Sequence, residues 1–287
     1  MPAIEQSVID SVFFLYMSEA EAQAGNNAQG TGFLVMHEGQ LYAVSNHHVA
    51  VDGGASCVRL NLPNGGVKII PDEGSLNWAF DLTLGDIAAM PIFLPKDEAL
   101  ALEMKAAYTS SMIQKSWHDS YAVGDDVYMI GMFANHQGKV RNNPLARFGN
   151  ISMVASDDSL VEHARNRIHN RPAQYEAHIV DMHSRSGYSG SPVFAYRPYG
   201  KRLTPSGAYE IDFDGASHHL LGIHYGSFQE PVKLSDAKLI DTEALRAELG
   251  AKASIDVTTG MTCVAPTWKI VELLDGNELT AKRKHAA

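Results

Sequence analysis

The residues Gly187-Tyr188-Ser189-Gly190-Ser191-Pro192-Val193 set a serine between glycines. Such a serine presents its hydroxyl at a tight turn while neighbouring N–H groups point into the same space, which is what an oxyanion needs as a carbonyl becomes tetrahedral. The pattern is not a strand-to-helix nucleophile elbow, which takes Gly-x-Ser-x-Gly. Ser191 occupies the final Gly position, and Pro192-Val193-Phe194-Ala195-Tyr196 has strand texture. Two other stretches supply the partners that acyl transfer requires, an imidazole to take the proton and a buried carboxylate to fix its tautomer. Tyr42-Ala43-Val44-Ser45-Asn46-His47-His48-Val49 closes a hairpin strand, and Asp86-Ile87-Ala88-Ala89-Met90-Pro91-Ile92 opens an apolar one. Adjacent residues at a strand end point apart, so only one of His47 and His48 serves. Asp81 and Asp86 compete for the carboxylate role. Asp86 is favoured because it directly precedes the apolar strand, whereas Asp81 reads as a loop cap.

These groups need a rigid frame, and the texture around them is of short strands. Ser11 to Met17 is aromatic and apolar. Phe33–His37 and Leu41–Ser45 flank Glu38-Gly39-Gln40 as a hairpin. Val58–Leu62 alternates with period two before the turn Pro63-Asn64-Gly65-Gly66 and the strand Val67–Ile70. Ile87–Phe93 follows. Residues 95–115 change to Ala, Leu, Glu, Lys and Met, a helical or irregular crossing between two halves. Strands resume at Asp126–Met132, Ile151–Ala155, Tyr175–Asp181, Pro192–Tyr196 and His219–His224. Residues 157–173 read as a loop or short helix, and Arg197–Ser217 as an exposed hairpin or loop. Pro266–Leu274 reads as one closing helix, with a frayed basic end at 281–287. Many short strands with turn signals between them favour a sandwich or barrel, here two β units sharing a crevice.

Composition narrows the function classes. The chain has 287 residues, 23 Lys+Arg against 33 Asp+Glu and a net charge of -10. With no basic stripe to neutralise phosphates, nucleic acid is not an expected partner. No apolar run reaches the roughly 20 residues of a membrane span, and Val12–Met17 is too short for a signal sequence core. Cys57 and Cys263 are too few for a disulfide framework or a four-ligand zinc site. The expected location is cytoplasmic. Thirteen histidines invite a metal, but there is no His-Glu-x-x-His, and His163, His169, His218 and His219 lie in polar stretches expected to be exposed. No cofactor is expected, since residues 120–134 lack a phosphate-loop lysine pattern.

The chain order His, Asp, Ser is that of chymotrypsin-type enzymes, and the sequence resembles a trypsin-like serine protease, closest in texture to bacterial HtrA/Do-like peptidases. Gly30-Thr31-Gly32-Phe33 with Ser45-Asn46-His47-His48-Val49, then Asp86-Ile87-Ala88, Val123-Gly124-Asp125-Asp126-Val127 with Ile130-Gly131, Asp181, and Gly187–Val193 resemble that family's motifs in order. The resemblance runs from about residue 10 to 274. It implies an all-β fold of two six-stranded antiparallel β-barrels with a C-terminal helix. As one peptidase domain over 1–287, that is an N-terminal barrel 8–94, a crossover 95–120, a C-terminal barrel 121–265 and a closing helix 266–275. No PDZ domain is present. The resemblance puts the general base on His48, the carboxylate on Asp86, the nucleophile on Ser189 and the oxyanion hole on the N–H groups of Gly187 and Ser189.

The position where trypsin keeps an Asp for basic side chains is His183, so a basic preference is not expected. Ser184 and His224 instead resemble the hydroxyl and imidazole with which glutamyl endopeptidases and picornaviral 3C proteases accept Glu or Gln, a sensible chemistry for a carboxylate or amide oxygen. Tyr225, Gly226 and Ser227 would pair with substrate backbone. The reading is a cofactor-free serine endopeptidase acting on a protein or peptide. Its rivals are a catalytically silent peptide-binding module on the same fold, and a latent enzyme triggered by a regulatory protein that orders 157–173 or 197–217.

Overall fold

The computed structural model describes residues 3–62, 65–71, 77–93, 107–108, 122–168, 171–197, 200–203, 209–212, 217–233 and 254–286. The first half contains α1 (Gln6–Asp10), β1 (Val12–Tyr16), α2 (Glu19–Ala24), β2 (Gly30–His37), β3 (Gln40–Ser45), α3 (His47–Ala50), β4 (Cys57–Asn61), β5 (Val67–Pro71), β6 (Ala79–Phe80), β7 (Ala88–Pro91) and β8 (Ala107–Tyr108). The second contains β9 (Asp126–Gly131), β10 (Leu145–Met153), β11 (Leu160–Ile168), β12 (Arg171–Glu176), β13 (His178–Asp181), β14 (Pro192–Arg197), β15 (Gly200–Leu203), β16 (Tyr209–Asp212), β17 (Ser217–Lys233) and β18 (Ser254–Pro266). Two helices, α4 (Thr267–Leu274) and α5 (Asn277–Ala286), complete the order.

Strands of the second half close into a six-stranded barrel, β10-β13-β18-β17-β14-β9. Those of the first form one sheet in the order β5-β4-β1-β2-β3-β7-β6, with β8 added parallel to β2. The all-β class, the C-terminal barrel and the helix after it are as the sequence implies. The first unit differs in detail from six closed strands: it has eight, and among the described residues no ladder joins β5 to β6. Most of the crossover at 95–120 lies outside the described residues.

Alternation along the strands builds three layers of core. In β1, Phe13 and Leu15 face the interior of the first sheet with Leu34, Ala43 and Leu60. Phe14 and Tyr16 point the other way, into a cluster that also holds Tyr128, Ile130 and Phe194 of the barrel. The barrel has its own interior of Val127, Met129, Val180, Val193 and Leu221. Because β1 lies between β2 and β4 with both faces covered, it reads as an unbroken apolar run. Each such side chain contributes about 1.5–3 kcal/mol on burial, so the middle layer binds the two units firmly.

Three expectations are corrected. Within 157–173, expected as a loop or short helix, the described residues from Leu160 onward are strand, with β11 paired to β12. Val161, His163, Ala173 and Tyr175 are buried while Leu160, Glu162 and Gln174 are exposed, a period-two alternation that the charged residues around it obscure. The described residues after 281, expected to be frayed, are helical to Ala286 as part of α5, whose Leu279 lies in the core. Strands β17 and β18 run past the barrel as a ribbon, pairing out to Lys233 and Ser254. The hairpin expected within 197–217 forms from β15 and β16.

The terminal helices tie the halves together. Ile270 and Leu274 of α4 join the shared core, Thr267 Oγ1 donates to the Leu220 carbonyl, and His37 of β2 bonds to Asp275 at 2.7 Å. Under α4, His178 is fully buried against Trp268, and its Nδ1 accepts from the Ala155 N–H. Burial pushes the His178 imidazole down to about 3. The unfolded chain therefore binds this proton below about 6.5 and the folded chain does not until about 3. Its contribution is full above that window and is lost as pH falls, at about 1.4 kcal/mol per pH unit. In denaturant titrations between pH 6.5 and 4.5, His178→Gln is expected to lose stability with acid less steeply than the wild type. Equal slopes would show that His178 does not set the acid limit.

Candidate active site

Strand β3 delivers the chain into the short helix α3, whose N-cap Asn46 is extended. Asn46 is wholly buried and its Nδ2 donates to the Asp86 carbonyl at 2.7 Å. That bond holds the segment before β7 against the start of α3. From there the Asp86 carboxylate accepts two bonds from one residue: the His48 backbone N–H reaches Oδ1 at 2.9 Å, and His48 Nδ1–H donates to Oδ2. Burial alone pushes the Asp86 carboxyl up, but the hydrogen bonds and charge of His48 outweigh it and hold the group below the usual carboxylate range. A carboxylate only accepts, so Nδ1 carries a proton, and in the neutral form of the ring the lone pair falls on Nε2. The Asp86 side chain has no exposure, while 14% of the His48 side chain reaches solvent.

The competitors fall elsewhere. His47 packs its ring 4.3 Å from that of Phe80 and faces Asp52 at 3.4 Å. Both histidines stand on a helix rather than at a strand end, and successive helical residues still diverge. Asp81 is exposed and accepts from the backbone and hydroxyl of Thr83, a turn cap as its sequence context suggests.

Ser189 occupies a turn before β14 that is docked on the first sheet by Thr31. The Thr31 N–H donates to the Ser189 carbonyl at 2.9 Å and Thr31 Oγ1 donates to the Gly187 carbonyl at 2.7 Å. Oγ1 also accepts the Met132 N–H, and the Thr31 carbonyl accepts Ser45 Oγ. Gly190 has φ +85°, and a Cβ there would lie 1.9 Å from the Thr31 carbonyl oxygen; only glycine meets both conditions. On the far side, Gly190 N–H donates to the His224 carbonyl. Val49, next to His48, and the Ser189 carbonyl crowd the same face of Gly30, so the imidazole segment and the serine turn meet across one small contact. No hydrogen bond joins the His48 ring to Ser189 in this structure.

Ser189 opens onto a cavity of about 450 Å³ whose walls include Ser184, His224, Gly226 and Ser227. The Ser184 and Ser227 hydroxyls bond to one another across it at 2.5 Å. His183, expected to bind substrate, does not line it: the side chain is exposed and turns toward Gly260. Tyr225, expected to meet substrate through its backbone, keeps its side chain in the core, where alternation on β17 aims it opposite to His224 and the phenol finds the Cys263 thiol. His163, expected to be exposed, is buried and lines the cavity. Among the described residues no group of His, Cys, Asp or Glu is placed to hold a metal ion, and no helix is long and apolar enough to cross a membrane.

A closed barrel packed against a second antiparallel sheet, with a serine turn docked between them, decides the architecture. The chain has the chymotrypsin-type fold. No family model and no curated protein matches its sequence. Among solved structures it is similar to the MamO protease domain from Magnetospirillum magneticum, at 12% identity over 95% of this chain and 100% of that one, with a TM-score of 0.49. It is also similar to the Rv3671c protease from M. tuberculosis in its active form, at 15% identity over 93% and 81% with a TM-score of 0.46. A third is the HtrA-type protease AlgW with a decapeptide, at 16% identity over 86% and 51% with a TM-score of 0.45.

The docking of the serine turn on Thr31 is open to direct test. Thr31→Val keeps the side-chain shape but leaves the Gly187 carbonyl and the Met132 N–H without their partner. A loss of about 1–3 kcal/mol is expected for each group so stranded, read from urea midpoints, with Thr31→Ser restoring most of it. An unchanged midpoint for Thr31→Val would remove the docking role.

Proposed function

We propose that the chain is a serine endopeptidase that hydrolyses peptide bonds through His48, Asp86 and Ser189. What chiefly supports this is the buried Asp86 carboxylate, which fixes both the position and the tautomer of His48 beside the serine turn. A merely structural carboxylate does not require an imidazole held through Nδ1 with Nε2 on the opposite side of the ring.

In this reading His48 Nε2 removes the Ser189 hydroxyl proton as the oxygen attacks the scissile carbonyl, and Asp86 stabilises the imidazolium. The oxyanion is received by the N–H groups of Gly187 and Ser189, neither of which donates a hydrogen bond to a described residue. The imidazolium then protonates the leaving amine, and water releases the acyl group by the same steps in reverse. Beyond His224, whose backbone bonds to Ser191 and Gly190, the β14 side of β17 carries no ladder among the described residues, which leaves Gly226 and Ser227 an edge for substrate backbone. Ser184, Ser227 and His224 give the cavity hydroxyls and an imidazole, suited to Glu or Gln before the cut. The substrate is a protein or peptide, and no cofactor takes part.

One observation favours a second reading. His48 and Ser189 are not hydrogen-bonded in the resting chain, as expected of an enzyme whose catalytic contact tightens only with substrate or a regulatory partner, or of a silent binding module. A fluorophosphonate probe separates these. Labelling confined to Ser189, abolished by Ser189→Ala and by His48→Ala, is the expected result, and a chain that stays unlabelled with peptide present would be a binding module. Asp86→Asn should lower peptide turnover by roughly 10³–10⁴-fold with little change in KM. Cleavage-site profiling should show Glu or Gln enriched before the cut, and a flat profile would discard that preference.

A further inference from the structure

Two imidazoles face the cavity beside Ser189. His224 comes from β17, and His163 from the β11–β12 hairpin. His163 stacks edge-on against Tyr225 with ring centroids 4.8 Å apart. Its Nε2 lies 2.8 Å from where a Cβ on Gly226 would stand. The bare backbone at Gly226 thus makes room for His163, which projects over the substrate edge in place of a side chain from β17 itself.

The chemistry of His224 is fixed from behind. Its Nδ1 bonds to the Cys263 carbonyl at 3.3 Å, and a carbonyl only accepts, so that nitrogen carries the proton. A neutral His224 then holds a lone pair at Nε2. A lone pair suits an amide NH₂ and repels a carboxylate, which requires Nε2 to be protonated as well. The charged and titratable groups around the two rings are mixed. Glu162 and Arg185 line the same cavity, and Asp86 lies close enough to His163 and Tyr225 to influence both. The Tyr225 phenol and the Cys263 thiol are both held neutral by burial, the thiol pushed up to about 11. Of the side-chain types in this set, imidazole is the one that serves both as a neutral acceptor and as a protonated donor.

We propose that His163 is a second reader of the substrate side chain, and that it and His224 take up a proton from solvent when that side chain is acidic, so that pH sets the choice between Glu and Gln. This rests on the Glu or Gln preference proposed above. The test uses the Ser189→Ala chain, which binds without cutting, and two peptides that differ only by Glu or Gln before the scissile position, with an Ala peptide as reference. Calorimetry at pH 7.5 in buffers of different ionisation heat counts the protons. About one proton taken up with the Glu peptide and none with the Gln peptide is expected. The Glu-to-Gln affinity ratio should fall about tenfold per pH unit above the imidazole titration. His163→Gln should weaken the Glu peptide by about tenfold and the Gln peptide by less than about threefold. His163→Phe, which keeps the ring against Tyr225, should do the same and guards against a mere packing effect. Preference for Glu and Gln over Ala without proton uptake, or equal weakening of both peptides by both variants, would overturn this inference alone. No preference over Ala would remove the Glu or Gln reading and this inference together, while Ser189 labelling reports separately on the protease reading.

Discussion

One threonine holds the two halves of this site in register. Thr31 is wholly buried, and every hydrogen-bonding group it has is used: its N–H on Ser189, its hydroxyl proton on Gly187, its hydroxyl oxygen for Met132, its carbonyl for Ser45. Each such bond contributes only about 0.5–1.5 kcal/mol net. Their value lies in geometry, because a strand of the first sheet thereby dictates where a turn of the second barrel stands. Gly190 completes the fit by having no side chain to keep the two apart. Ser189 is therefore placed by the first sheet as well as by its own barrel.

The other side of the crevice depends on a different constraint. A carboxylate with no exposure is costly to keep ionised unless its lone pairs are taken up. Asp86 meets that requirement with one residue, bonding the backbone and the ring of His48, while Asn46 fixes the Asp86 backbone. The same bonds that lower its pKa orient the imidazole, so the electrostatics of burial and the geometry of the site are one arrangement.

Much of this was legible in the residues. The unbroken apolar run of β1, the Glu38-Gly39 hairpin turn and the acid at the head of an apolar strand each carry a local physical signal, and they form as read. What the sequence hid was long-range. The alternation in Val161 and His163 is diluted by charged neighbours, so a buried hairpin passes for a polar loop, and His163 with it. His183 stands at the position where trypsin keeps an Asp, yet no local pattern shows that its side chain turns toward Gly260 instead of the cavity. Thr31 sits in a recognisable Gly-Thr-Gly-Phe stretch, yet no spacing shows that Met132, Gly187 and Ser189, more than a hundred residues away, are its partners. The helix α5 was missed because its polar run gains purpose only where Leu279 finds the core.

The helices α4 and α5 also make the two β units depend on one another. Ile270 and Leu274 fill a layer that touches both β units, and Asp275 grips a histidine on the second strand of the protein. Without those helices the shared layer would lie open on one side, so the register of the two units that carry His48, Asp86 and Ser189 is set in part by elements that lend the site no side chain.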